Sequence, residues 1–425
     1  MLRIITACLS SLAFCALGFA AENYPPYQEQ PCSLVQARSG IGNVISKLKS
    51  GQDISVAYFG GSITAANGWR PKTTVWLKSQ YPNANITEIH AAIGGTGSDL
   101  GVFRCQHDVL DFHPDLVFVE FSVNDGGAAP ESIWRQMEGI VRQIWKANPQ
   151  TDIVFVYTFI KNFDETTLSG KCVRSSSAME QLAQFYAIPS INFCPRIAQM
   201  QKEGTLVVKD EGDVKPGQII FSGDNVHPTD AGHELYLKDV QLAWQAMENL
   251  PPVNHQAELD KTFVADNYQN ACMIPLEEKW LSGSWKKLES TDSLFWATKR
   301  AGDIWTSGTP GDSLTFKVKA SQVKIYDLLA PNGGQVFISI DGKTAEKPVP
   351  QFDSYCTYYR LGTTWIGQFD SQSEHTITIT IDKNQPDRRS IAFRLQDPEK
   401  ELSEPKYQGT NVWFGSILII GEIVK

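Results

Sequence analysis

The chain has 425 residues, 42% of them hydrophobic and 20% charged, with a formal net charge of −9. That balance belongs to a globular protein long enough for two domains, and it excludes disordered and collagen-like classes. It also argues against a nucleic-acid partner, because phosphate binding needs clustered Lys and Arg.

Arg3 is followed by an apolar run over residues 4–19 and then by Ala20 and Ala21. A basic start, a short apolar middle and small residues at its end describe a secretory signal peptide over residues 1–21. The run is short for a bilayer and polar sequence follows at once. The expectation is therefore a secreted or periplasmic protein with no stable membrane span after signal removal. Bulky Phe14 before Cys15 disfavours a lipid anchor. Without the leader, Cys32, Cys105, Cys172, Cys194, Cys272 and Cys356 remain. Six cysteines in an exported chain suit at least one disulfide, with the pairing open and buried free thiols the alternative. None stands in a C-x-x-C pair, so zinc and thioredoxin-like chemistry lack support, and no cofactor or metal is expected.

From residue 34 to about 250, short apolar runs alternate with helical patterns. The runs 54–59, 86–93, 116–123, 152–159 and 188–193 are nearly continuous, as strands are when both faces of a parallel sheet are covered. Between them, Ile133, Trp134, Met137, Ile140, Val141, Ile144 and Trp145 recur three and four apart on one helical face. Ser177 with Glu180 three residues later has the form of a capping box opening another helix. A last helix over residues 229–247 buries Leu235, Val240, Ala243 and Trp244. This alternation predicts a three-layer α/β fold over residues 22–255.

The pattern changes after Pro251 and Pro252. Period-two alternation appears at Leu314, Phe316 and Val318, at Val336, Ile338 and Ile340, at Ile377, Ile379 and Ile381, and at Ile391, Phe393 and Leu395. Turn signals such as Asn332-Gly333-Gly334 and Asp341-Gly342 separate these runs. Residues 259–425 are therefore expected to form an all-β sandwich or jelly roll.

Chemistry concentrates at the ends of the predicted parallel strands. Ser62 follows the first one in Phe59-Gly60-Gly61-Ser62-Ile63-Thr64, where glycines allow a sharp turn at the carboxyl edge of the sheet. The second ends in Ile93-Gly94-Gly95-Thr96-Gly97-Ser98 and the third in Ser122-Val123-Asn124-Asp125. Backbone N–H groups and an Asn amide are the donors that stabilise a tetrahedral oxyanion. Asp224-Asn225-Val226-His227-Pro228 precedes the last helix, and an aspartate three residues before a histidine can orient its ring from within one loop. Each element alone is common as a turn; four in this order are not.

These four segments resemble the blocks of the SGNH, or GDSL-like, hydrolases, in the variety that reads Gly-Gly-Ser-Ile-Thr. The resemblance spans roughly residues 33–249. It implies a flavodoxin-like three-layer sheet, Ser62 as nucleophile, His227 as base and Asp224 as its partner. It also implies an oxyanion hole from Asn124, Gly95 and the Ser62 amide, with Gly94 the alternative to Gly95. Two positions depart from the family pattern. Gly61 stands where many relatives carry aspartate, and His90 where the second block often opens with asparagine.

The implied activity is carboxylic ester hydrolysis. Export, the Gly-Gly-Ser-Ile-Thr variety and the second domain lean toward O-acetyl esters of carbohydrate. A lipid or aryl esterase or thioesterase, and a non-catalytic glycan-binding protein on a hydrolase scaffold, are the alternatives. Trp69 could stack on a sugar or fill the core, and Trp280, Trp285, Trp296, Trp305, Trp365 and Trp413 could bind glycan or pack a sandwich. Glu120, inside an apolar strand, reads as a buried polar residue rather than a catalytic one. The histidines at 107, 113, 233, 255 and 375 show no ligand spacing.

Overall fold

A computed structural model describes residues 24–424. The expected signal segment lies outside the described residues. The first half of the chain builds a six-stranded sheet from β1 (Val35–Gln36), β2 (Ile54–Gly60), β3 (Ile86–His90), β4 (Leu116–Glu120), β5 (Asp152–Tyr157) and β6 (Ser190–Asn192). Its order is β1-β6-β5-β4-β2-β3. β2 to β6 run parallel, and β1 is an antiparallel edge that the sequence did not disclose. Without that edge the order is the flavodoxin-like one, and the order in which strands are added reverses between β2 and β4.

Successive strand residues point to opposite faces. Val56, Tyr58, Phe118, Val154 and Val156 meet α1 (Gly42–Lys49), α3 (Trp69–Gln80) and α9 (Asp230–Met247). Ala57, Phe59, Val117, Val119, Phe155 and Tyr157 meet α4 (Ser98–Asp108), α5 (Pro130–Ala147) and α7 (Arg174–Phe185). β3 to β6 end one to three residues earlier than their apolar runs, because the last residues of those runs leave the ladder for the loops at the sheet's carboxyl edge, whereas β2 extends one residue past its run to Gly60. α7 begins three residues before the predicted cap. Ser177 lies inside it, where its Oγ accepts from Gln30 N and donates to the Cys172 carbonyl, while Glu180 pairs with Arg38 and Tyr157. The Ser-x-x-Glu spacing there reflects burial against the N-terminal segment, not a helix start.

The second half is a β-sandwich built on an antiparallel sheet, eleven strands among the described residues. Two long strands, Ser313–Leu329 and Val412–Val424, form its spine. The first pairs with Arg360–Gln368 along its end and with His375–Ile381 along its start, and a register shift between Ala320 and Gln322 bends it. Such a bulge lets one strand serve two layers. Leu314, Phe316, Val336, Ile338, Ile377, Ile379, Phe414 and Ile417 fill the sandwich core. The alternation at Ile391, Phe393 and Leu395 is not a strand: a helical turn, Arg388–Ile391, precedes a loop in which Phe393 is 75% exposed.

The two halves share a core. Tyr326, Leu328, Trp413 and Leu418 of the β half lie in one cluster with Phe103, Ile140 and Phe121 of the α/β half. The connecting segment is strapped along α5. Glu138 accepts from the Phe263 and Val264 amides, and Arg142 donates to the Leu259 and Lys261 carbonyls. A Cβ at Gly139 would fall 2.7 Å from the Tyr268 backbone, so the close crossing needs glycine. All six cysteines of the described residues are free thiols; Cys32 and Cys172 both accept from Asn192 Nδ2 at 3.3 Å. No described helix is long and apolar enough to cross a membrane.

Candidate active site

β2 ends at Gly60, and Ser62 opens the single helical turn α2 (Ser62–Ala65). The turn is closed by Ala65 N donating to Gly61 O at 2.9 Å and Ala66 N to Ser62 O at 3.0 Å. Across the sheet edge, the loop before α9 is pinched by an antiparallel bridge between Ser222 and Pro228. Within it Asn225 takes the left-handed conformation (φ 70°), and its carbonyl accepts from Lys161 N at 2.9 Å. Thr229 caps α9, accepting from Gly232 N. These constraints fix Asp224 and His227 opposite Ser62.

His227 Nε2 lies 2.8 Å from Ser62 Oγ and Nδ1 lies 2.7 Å from Asp224 Oδ2. Asp224 Oδ1 accepts from the backbone N–H groups of Val226 at 2.9 Å and His227 at 2.7 Å. Partial burial would raise the Asp224 pKa. The donors from the His227 ring, His227 N and Val226 N outweigh it and hold the carboxyl well below the usual range. An ionised acceptor on Nδ1 selects the tautomer that leaves Nε2 free to take the serine proton.

The remaining predicted residues surround Ser62. Gly94 faces it directly: a Cβ there would lie 3.6 Å from Ser62 Cβ. Gly95 is left-handed (φ 74°), as the tight turn after Ile93 requires, and a Cβ on it would stand 3.6 Å from Arg360 Nη2 of the β half. Asn124 opens a 3-10 turn after β4, with its side chain exposed at the cleft. A Cβ at position 61 would fall 2.1 Å from Asn124 Oδ1. The departure at Gly61 is thus explained by the close approach of the Asn124 amide. His90 lies off the site; its carbonyl accepts from Arg300, and burial with nearby Arg70 and Arg300 pushes its pKa down to about 4.

Two supports were not legible in the sequence. Arg104, fully buried on α4, donates to the Ala91 and Gly60 carbonyls and to Thr96 Oγ1, tying the loops after β2 and β3 together. Asp125 accepts from Ser98 N at 2.9 Å and Ser98 Oγ at 2.6 Å, joining the Asn124 turn to the loop after β3. Burial pushes its carboxyl up to about 7 despite those bonds. Arg104 and Asp108 look like a surface i,i+4 pair in sequence; in the fold both are buried, Arg104 over the Phe59 ring and Asp108 within 3.6 Å of Arg300 of the β half.

A cleft of about 560 Å³ runs from Asn124 between the two halves, lined on the β side by Gln322, Lys324, Trp365 and Gln368. Trp365 is 49% exposed. Trp69 is not available to a ligand: it is fully buried against Tyr58, Phe118 and Phe193. Trp413 is likewise buried in the shared core.

Residues 58–235 match the GDSL-like lipase/acylhydrolase family. The protein is a carboxylic ester hydrolase. Two crystal structures of a two-domain esterase active on acetylated mannans resemble the hydrolase over nearly its whole length. The one with mannopentaose is 20% identical with a TM-score of 0.70, covering 94% of this chain and 100% of that one. The other is 20% identical with a TM-score of 0.71, covering 93% and 99%. At that identity the likeness is one of fold, and it includes the β-sandwich. No curated protein sequence matches the chain.

Proposed function

We propose that the protein is an exported serine esterase that removes O-acyl groups, foremost O-acetyl, from carbohydrate. On this reading residues 22–255 form the hydrolase domain and residues 259–425 an accessory sandwich. The observation that carries the reaction is the unbroken chain Ser62 Oγ, His227 Nε2, His227 Nδ1, Asp224 Oδ2. Ser62 Oγ attacks the ester carbonyl as its proton passes to His227 Nε2, and Asp224 stabilises the imidazolium. The oxyanion is held by the Asn124 amide and the N–H groups of Gly95 and Ser62. His227 then protonates the departing sugar oxygen, leaving acyl on Ser62. Water, deprotonated by the same ring, frees the acid.

Carbohydrate as the alcohol is supported by the cleft beside Asn124. Its β wall combines one exposed indole face, Trp365, with amide and ammonium donors from Gln322, Gln368 and Lys324. A flat aromatic surface flanked by polar groups suits a sugar ring. The two-domain esterase of like fold is active on acetylated mannans.

Acetate release from acetylated mannan, xylan and pectin, beside a chain-length series from acetyl to octanoyl esters, tests the substrate. Acetate from at least one glycan and a kcat/KM that falls with acyl length are expected. A rate climbing toward octanoate with no acetate from any glycan would favour a lipid esterase. Ser62→Ala or His227→Ala is expected to lower kcat by about three to six orders of magnitude, and Asn124→Ala by about two to three. Activity of Ser62→Ala above about a tenth of wild type would remove Ser62 as the nucleophile.

A further inference from the structure

Glu120 closes β4 at the point where the sheet order reverses, in register with Gly60 at the end of β2. It is 1% exposed. A Cβ at Gly60 would fall 2.6 Å from the Glu120 carbonyl oxygen and 3.1 Å from Oε2, so that glycine makes room for this carboxylate directly behind the nucleophile loop. Oε2 accepts from Thr64 Oγ1 at 2.8 Å, and Oε1 accepts from Thr158 Oγ1, beyond the end of β5, at 2.9 Å. The Gly61 backbone N–H also donates to it. Thr64 lies in the same four-residue turn as Ser62, and its carbonyl accepts from Arg70 Nε. One carboxylate thus takes donors from both sides of Ser62 and from the neighbouring strand.

We infer that Glu120 is a positioning residue of the hydrolase. Acting through Thr64 Oγ1 and the Gly61 N–H, it fixes the turn that aims Ser62 Oγ at His227 Nε2. The inference rests on the reading of Ser62 as nucleophile. A buried carboxylate without a counter-cation is costly unless its lone pairs are filled. Here three donors fill them, and moving the turn would break two of the three. The charged and titratable groups around it are Asp125 from the turn after β4, the Tyr236 hydroxyl from α9, and Arg104, which reaches the Gly60 carbonyl. Burial, with Asp125 adding like charge, lifts the carboxyl to about 7 against the pull of its donors. Protonation turns one of the two oxygens into a donor, so the threonine bonded there must reverse its hydrogen bond or give it up.

The test uses the full chain with p-nitrophenyl acetate, and measures separately the rate at which diethyl p-nitrophenyl phosphate phosphorylates the serine. Thr64→Val is expected to lower kcat and the phosphorylation rate about tenfold to a hundredfold, with KM within about twofold, and Thr64→Ser to restore both. For Glu120→Gln the wild-type to variant ratio of kcat is expected to grow as pH rises through about 7, because only the ionised carboxylate accepts from both threonines. A structural role alone would leave that ratio flat. Thr64→Val phosphorylated within about twofold of the wild-type rate, or a Glu120→Gln ratio independent of pH, overturns the inference. Ser62→Ala run alongside separates the two readings. If it stays active, the nucleophile assignment fails; if it is dead while Thr64→Val is unimpaired, only the role of Glu120 fails.

Discussion

At the scale of single residues, the site is governed by distances too short for a side chain where glycine stands. Position 61 is the sharpest case, since its missing Cβ leaves room for Asn124 Oδ1 at 2.1 Å. Gly61 has φ −91°, which any residue can adopt, so the need is for space and not for backbone freedom. The clashing atom is the tip of an exposed side chain that can swing away. Gly61→Ala is therefore expected to leave thermal stability nearly unchanged while moving the Asn124 amide off the oxyanion position. The expected fall in kcat approaches the loss of one oxyanion donor, about 10²–10³-fold, read from steady-state kinetics beside a melting curve. A variant as active as wild type would mean that the Asn124 amide does not act from this position.

At the scale of elements, α5 has two buried faces with different chemistry. Its apolar stripe, Ile133, Met137, Ile140 and Ile144, packs on the sheet. Glu138, Arg142 and Gln143 on another face look solvent-facing in sequence, yet all three are buried under the segment that leads to the β-sandwich. Arg142 alone reaches the Leu259 and Lys261 carbonyls, Gln269 Oε1 and the Tyr186 hydroxyl. Arg142→Ala leaves the Leu259 carbonyl without its donor, the Lys261 carbonyl with only the Tyr186 hydroxyl, and a void, and is expected to cost about 2–4 kcal/mol in urea unfolding. A change below about 0.5 kcal/mol, typical of a surface position, would mean that the strap does not hold the two halves together.

At the scale of the whole molecule, several carboxyls are pushed up by burial, even where a cation stands beside them as Arg196 does beside Asp239, and they shape how stability follows pH. Burial pushes Asp327, in the β-sandwich, up to about 7 from an unfolded value of 3.8. With the native pKa above the unfolded one, the native state holds more protons between those values. Stability from this group is therefore lost as pH rises from about 4 to about 7. Asp239 on α9, also lifted to about 7 by burial, adds the same sign. His90 and His233, both lowered from 6.5 to about 4 chiefly by burial, oppose it between those two values, over most of that range. Asp327→Asn isolates one contribution. The variant is expected to gain on wild type as pH rises from 4 to 8, by on the order of 1 kcal/mol or more, in chemical denaturation at a series of pH values. A difference independent of pH would contradict burial of a titrating carboxyl.

What the sequence determined by itself was local and periodic. Continuous apolar runs announced parallel strands covered on both faces, and glycine pairs, Asn124 and the Asp224-x-x-His227 spacing marked the strand-end loops that carry the candidate site. Each of these signals is written within a few residues, because backbone turns and strand alternation are short-range constraints. The tertiary structure alone decided what was buried by a distant part of the chain. The strand Val412–Val424 shows no alternation because Phe414 and Ile417 face the sandwich core while Trp413 and Leu418 face the α/β domain. Phe393 keeps the period of a strand, but no neighbouring strand pairs with it. Arg104 and Asp125 carry ordinary surface chemistry in sequence, and Glu120 reads there only as a buried polar residue; which donors and acceptors each one meets is decided when the sheet edge, α4 and the loops around Ser62 enclose them. Charge and spacing are properties of the sequence; desolvation belongs to the packed whole, and it turned those polar residues into the frame around Ser62.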